Sequence, residues 1–188
     1  HHGDLHPFPT RRSYDLCGDF VVNEPMMRGH ELSGRVVAVG DGVDPARIGQ
    51  RIAVGPQQPC RRCKQCKAGR YNLCPEMEFY ATPPIDGAFT EYVTIQSMFA
   101  HDVPDSVTDE AAALLEPLSV AITSVRKAGI VPGSTVLIAG AGPIGIITAQ
   151  TARAFGAGEV SVSDLVEERR ERALKYGATR TIDPRTQH

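Results

Sequence analysis

The chain has no tryptophan, and aromatic residues make up only 6% of its 188 residues. It therefore offers no aromatic platform on which unpaired bases could stack. Charge of one sign is also lacking: 20 Lys and Arg stand against 22 Asp and Glu, a formal net charge of −2. That balance gives no general pull toward nucleic acid or an anionic membrane. No apolar stretch is long enough to span a bilayer, and the N-terminus has no signal-peptide core, so the expectation is a cytoplasmic protein. Cysteines are few, five in all, and in a reducing compartment a cluster of them binds metal more often than it forms disulfides. What remains, 41% apolar and 22% charged residues, is the composition of a soluble globular chain. Its length suits one ordinary domain or two small ones.

Four of the five cysteines, Cys60, Cys63, Cys66 and Cys74, follow the spacing Cys-x2-Cys-x2-Cys-x7-Cys. Four thiolates can close a tetrahedral shell around one zinc ion and leave no open position, which makes this a structural rather than a catalytic site. Arg61, Arg62, Lys64, Lys67 and Arg70 flank the cysteines. A zinc ribbon that binds nucleic acid is the alternative, and the missing aromatics and basic stripe oppose it. The flanking cations are read as a solvated face that offsets thiolate charge.

A second signal lies downstream. The run Val136-Leu137-Ile138-Ala139 leads into Gly140-Ala-Gly142-Pro-Ile-Gly145, and Asp164 follows 19 residues beyond Gly145. Strand, glycine turn, helix and later acid form the context in which this pattern binds a dinucleotide, with the pyrophosphate on the helix N-terminus. A carboxylate at position 164 can accept from both ribose hydroxyls and repels a 2′-phosphate, which favours NAD over NADP. Arg169 lies close enough in sequence to contest that preference.

Between the signals the period changes. Arg35–Val39, Arg51–Val54 and Gly87–Gln96 read as short strands punctuated by Gly and Pro, the pattern of a small β-barrel. A helix capped by Asp105 or Thr108 begins near Asp109, is broken or kinked by Pro117, resumes over Leu118–Ala128 and stops at Gly129. Strand Thr135–Ala139, a helix from about Pro143 to Phe155, strand Glu159–Ser163 and helix Glu167–Tyr176 then give β-α-β-α, and a third strand is expected at Thr181-Ile182-Asp183. Residues 1–16, HHGDLHPFPTRRSYDL, show neither period; they read as a tail, a tag or non-native sequence, and the chain as one cut at both ends.

GHELSGRVVAVG, CRRCKQCKAGRYNLCP, FYATPPIDGAFTEYV, LLEPLSVAI and VLIAGAGPIG together resemble the zinc-dependent medium-chain dehydrogenase/reductase family. ATPPIDG and EPLSVA resemble its sorbitol and xylitol dehydrogenase branch. The resemblance runs from about Gly18 to Asp183. It implies a GroES-like β-barrel catalytic domain over residues 17–115 with a structural zinc lobe, then a partial Rossmann NAD-binding domain over residues 116–188. It implies oxidation of a secondary alcohol of a polyol to a ketose with NAD(P), and tetrameric assembly. His30 and Glu31, with a cysteine, match the catalytic zinc ligands; Glu116 matches a residue beside the metal or the substrate. Gly140, Gly142, Ile144, Gly145, Asp164 and Arg169 match nucleotide-contacting positions, and Phe79 a substrate-pocket position. Cys60, Cys63, Cys66 and Cys74 match the structural zinc ligands.

The chain also departs from the pattern. The family's first zinc ligand sits in a Cys-Gly-Ser-Asp motif well upstream of Gly-His-Glu, whereas Cys17 lies only 13 residues before His30. Cys17 is therefore not in the ligand's place, and Thr123 stands where relatives often carry histidine. A chain lacking that ligand would keep structural zinc alone and be inactive.

Overall fold

A computed structural model of the chain describes residues 25–186; residues 1–16 and Cys17 lie outside the described residues. Two compact units emerge: residues 25–30 with 56–99, and residues 31–55 with 100–186.

In the first unit, β3 (Gln57–Gln58) pairs antiparallel with β4 (Glu78–Phe79) and closes the base of the cysteine loop. That loop holds a single helical turn, α1 (Lys64–Lys67), and a 3-10 turn over Tyr71–Leu73. Residues 87–96, expected as a strand, form none. Their N–H groups go instead to an irregular neighbour: Gly87 donates to Met27 O at 2.9 Å, Ala88 to Gly29 O at 2.8 Å and Phe89 to Arg28 O at 2.9 Å. The β-branched and aromatic composition that suggested a strand is outweighed here by tertiary partners. The packing is close: a Cβ on Gly87 would lie 2.4 Å from the Arg28 carbonyl.

In the second unit, β1 (Ser33–Arg35), β2 (Arg51–Val54) and β5 (Ala100–Asp102) form an antiparallel sheet in the order β1-β2-β5. Pairing Ser33 with Ala53 and Ala53 with His101 makes β2 the central strand, and its Ile52, Ala53 and Val54 are buried. The strand expected over Arg35–Val39 begins earlier and is shorter, although Val36 still exchanges bonds with Gln50 and Gly49 at 3.0 and 2.8 Å. Helix α2 (Asp109–Ala113), capped by Thr108 Oγ1 accepting from the Ala111 N–H at 3.2 Å, docks on this sheet. Arg51 reaches Asp109 at 2.7 Å, and Ser33 Oγ donates to the Asp109 carbonyl at 2.7 Å. The helical break falls at Leu114, before Pro117. Proline is accepted in the first turn of α3 (Leu115–Lys127), where the missing N–H has no intrahelical acceptor.

The rest of this unit alternates β6 (Thr135–Ala139), α4 (Pro143–Ala154), β7 (Glu159–Ser163), α5 (Glu167–Lys175) and β8 (Arg180–Ile182). The strands are parallel in the order β6-β7-β8. Ile138, Val160 and Val162 from the sheet, Ala149 and Ala152 from α4, Ala173 from α5 and Val125 from α3 make one core. Alanine dominates the helix faces because the helices lie close to the sheet. That approach is tightest at the start of α4, where a Cβ on residue 145 would sit 1.9 Å from the Gly140 carbonyl oxygen. Only glycine fits there. We expect Gly145→Ala to lower stability by about 1–3 kcal/mol, the usual cost of overpacking, seen as a lower Tm. Gly142→Ala, whose Cβ would meet nothing within 4 Å, should cost less than about 1 kcal/mol; equal losses would contradict this reading.

Candidate functional site

The cysteine lobe is built by short local bonds. Cys63 Sγ accepts from the Cys66 N–H at 3.4 Å and so caps α1, and Cys74 Sγ accepts from the Cys60 N–H at 3.4 Å. The four sulfurs lie within 4.8 Å of one another. A tetrahedral zinc at about 2.3 Å from each sulfur needs neighbouring sulfurs about 3.8 Å apart, so the donor set fits the ion. N–H groups of Arg62 and Cys63 pull the Cys60 thiol down to about 7, while burial and sharing with the Cys63 and Cys74 thiols push Cys66 up to about 12. Four thiols this close cannot all ionise without a cation among them. Arg62, one of the flanking cations, forms an ion pair with Glu76.

In the same unit, Phe79 on β4 meets His30 edge-on, with ring centroids 5.5 Å apart and planes at 65°. The chain enters His30 through Gly29, whose φ is +90° and whose Cβ would lie 2.5 Å from the Phe89 ring. His30 thus leaves a sharp turn rather than a regular element, as adjacent residues reaching one ion require.

In the second unit, Glu31 precedes β1 and Glu116 lies in the first turn of α3. The docking of α2 on β1 and β2 brings them together, with carboxylate oxygens within 4.8 Å. Two carboxylates at that distance repel unless a cation or proton lies between them. Oxygen donors beside an imidazole-bearing neighbour suit a borderline ion such as zinc.

The glycine turn occupies the C-terminal end of β6. Gly142 caps α4 without a side chain, and no acid stands in the first turn of this 12-residue helix, so its free N–H groups favour a phosphate. Ile144 is exposed at the start of that helix. Asp164, at the end of β7, accepts from the Ala141 N–H on Oδ2 and from the Val166 N–H on Oδ1, each at 2.8 Å. Those two bonds hold its carboxyl below the usual range against the effect of burial, with Arg169 and Arg170 adding to the shift. Arg169 lies 4.0 Å from Oδ2 and is 56% exposed.

Sequence reading passes over Ala141 and Val166, because no side-chain type marks a backbone donor. It also passes over Arg170, which donates to the Asp164 carbonyl at 2.7 Å. A second arginine directly after Arg169 was the available signal. Thr123 lies within α3.

Comparison with known proteins finds two family models along the chain. Residues 2–105 match the family model described as an alcohol dehydrogenase GroES-like domain, and residues 143–188 match that described as a zinc-binding dehydrogenase. The chain is 46% identical over 184 residues to sorbitol dehydrogenase of Bacillus subtilis strain 168, covering 98% of this chain and 51% of the relative. It is 46% identical over 167 residues to D-xylulose reductase A of Aspergillus niger, covering 89% and 47%. Among solved structures, a protein from Sinorhizobium meliloti 1021 assigned as a zinc-binding dehydrogenase and bound to NADP superposes with a TM-score of 0.83 at 39% identity, over 92% of this chain and 50% of that one. L-idonate 5-dehydrogenase of Escherichia coli K-12 MG1655 gives a TM-score of 0.83 at 30% identity, over 90% and 50%. The chain spans about half the length of the curated relatives it matches. Its fold is a GroES-like β domain with a zinc lobe joined to part of a Rossmann sheet, and the chain belongs to the zinc-binding, GroES-like alcohol dehydrogenase family.

Proposed function

We propose that this chain is part of a zinc-dependent, NAD-linked polyol dehydrogenase that oxidises a secondary alcohol to a ketose. The observation that carries the reading is the convergence of the Glu31 and Glu116 carboxylates within 4.8 Å, with His30 peptide-bonded to Glu31. The sorbitol and xylulose activities in the relatives' names give the substrate class. The domain boundaries at 17–115 and 116–188 belong to this reading, as do a homo-oligomeric assembly and a cytoplasmic location. A reducing compartment keeps the four unbridged thiols available to metal.

Cys60, Cys63, Cys66 and Cys74 would hold one zinc, and His30, Glu31 and Glu116 would hold or face a second. Bound there, zinc supplies a closed staple in the lobe and Lewis acidity at the carboxylates, and NAD supplies the hydride acceptor. Glu116, on a helix, gives the cluster a rigid member, and Glu31 can lean toward or away from the ion. Phe79 holds the His30 ring by its edge and offers an apolar wall to a substrate carbon. The α4 N-terminus and Gly142 receive the pyrophosphate. Asp164 keeps lone pairs for the adenosine ribose hydroxyls and repels a 2′-phosphate, so NAD is favoured although the Sinorhizobium neighbour holds NADP.

Two measurements test this in the full-length protein. Zinc content should be about two per chain, and Cys63→Ser should remove one zinc and lower the Tm while leaving coenzyme affinity intact. Glu116→Gln should lower kcat/KM for sorbitol or xylitol about 10–100-fold, the range for residues that support a metal site, with NADH affinity unchanged. Zinc content unaffected by Cys63→Ser, or no NADH formation from any polyol, would overturn the reading.

A further inference from the structure

Arg170 is a half-buried cation that the proposed chemistry does not use. Its side chain is 14% exposed, and its Nη2 lies 3.2 Å from Oδ2 of Asp183, itself 15% exposed. Its Nη1 donates to the Asp164 carbonyl at 2.7 Å. Asp183 also binds Arg185, whose Nη2 lies 2.6 Å from Oδ2 and whose Nε lies 3.0 Å from Oδ1. Arg185 Nη2 in turn donates to the Leu165 carbonyl at 3.0 Å. Two guanidiniums, both paired with the Asp183 carboxylate, thus donate to two consecutive carbonyls of the loop between β7 and α5.

Every polar group of Asp164 has a partner, and Arg170 supplies the one for its carbonyl. Its N–H donates to Ile182 O at 3.2 Å, its carbonyl accepts from Arg170, and its two carboxylate oxygens accept from Ala141 and Val166. Stability alone is a weak account of the ion pair, since apolar residues of similar volume replace buried pairs at little or no cost. An apolar pair could not hold a carbonyl. Arg169, next in sequence, differs: it is 56% exposed and only approaches the Asp164 carboxylate.

We infer that Arg170 is a positioning residue for the adenosine ribose of the coenzyme. With Asp183 it locks the backbone of Asp164, so that the carboxylate meets the sugar without first being ordered. The inference rests on the nucleotide-binding reading above. Pre-ordering a group in its bound orientation raises affinity by removing an entropic cost of association, and the effect should appear at the adenosine end alone.

The test is calorimetric binding of ADP-ribose, which lacks nicotinamide, to the full-length protein and its variants. Arg170→Met should weaken binding about tenfold, the loss expected for one charge-assisted hydrogen bond, with zinc content unchanged. Arg170→Lys should restore part of that loss. Asp183→Asn, which keeps the side-chain volume, should weaken binding in the same direction and serves if Arg170→Met does not fold. The combination Asp164→Asn with Arg170→Met should bind no more weakly than Asp164→Asn alone, because residues acting through one group are not additive. Full additivity, or wild-type affinity in both Arg170→Met and Asp183→Asn, overturns the inference while leaving the coenzyme site standing. Failure of the unsubstituted protein to bind ADP-ribose removes the nucleotide reading and this inference with it.

Discussion

Helix α4 can begin where it does only because residue 145 has no side chain. With its Cβ position 1.9 Å from the Gly140 carbonyl, any other residue would push the helix off the end of β6. Several features follow from that contact. The turn places the Ala141 N–H where Asp164 can accept it, which ties the end of β6 to the end of β7. The same approach lets Ala149 and Ala152 reach Val160 and Val162. It also leaves the first N–H groups of α4 uncapped by any side chain, a fixed partial positive charge at the mouth of the parallel sheet.

The two clusters of metal-ligating side chains share another constraint. In each, the fold gathers groups that repel when ionised: four thiols in the lobe, and two carboxylates at Glu31 and Glu116. The chain supplies the proximity through local means. Cys63 caps its own helical turn, and the Arg51–Asp109 pair docks α2 so that Glu116 follows. A divalent cation held in either cluster would offset that repulsion and couple metal binding to folding. The separation into a closed all-sulfur site and an oxygen-rich site matches the division between structural and catalytic zinc.

Where the chain repeats a simple period, its sequence is a faithful guide. Strands Arg51–Val54, Thr135–Ala139 and Glu159–Ser163 occupy their expected residues, since short runs rich in β-branched residues with flanking glycines leave few alternatives. Residues 87–96 show the opposite: strand propensity is present, but the N–H groups are taken by residues 27–29, a partnership no local pattern encodes. The four-cysteine site is legible because its ligands are close in sequence. The Glu31–Glu116 approach is legible only through the family resemblance and not from local pattern, because a sheet and a docked helix intervene. Asp164 could be picked out by its distance from the glycine turn. Its control by Ala141, Val166 and Arg170 could not, because two of those three donors are backbone groups and the third is one of a pair of adjacent arginines whose burial only the fold decides.

The most direct measurement of the central claim is a crystal structure of the zinc-loaded full-length protein with ADP-ribose, with diffraction collected at the zinc absorption edge. The expected result is one anomalous peak among the four cysteine sulfurs, a second between Glu31 and Glu116, and a diphosphate at the N-terminus of α4 with its adenosine ribose on Asp164. A map with zinc only in the cysteine lobe and no nucleotide at the glycine turn would contradict it.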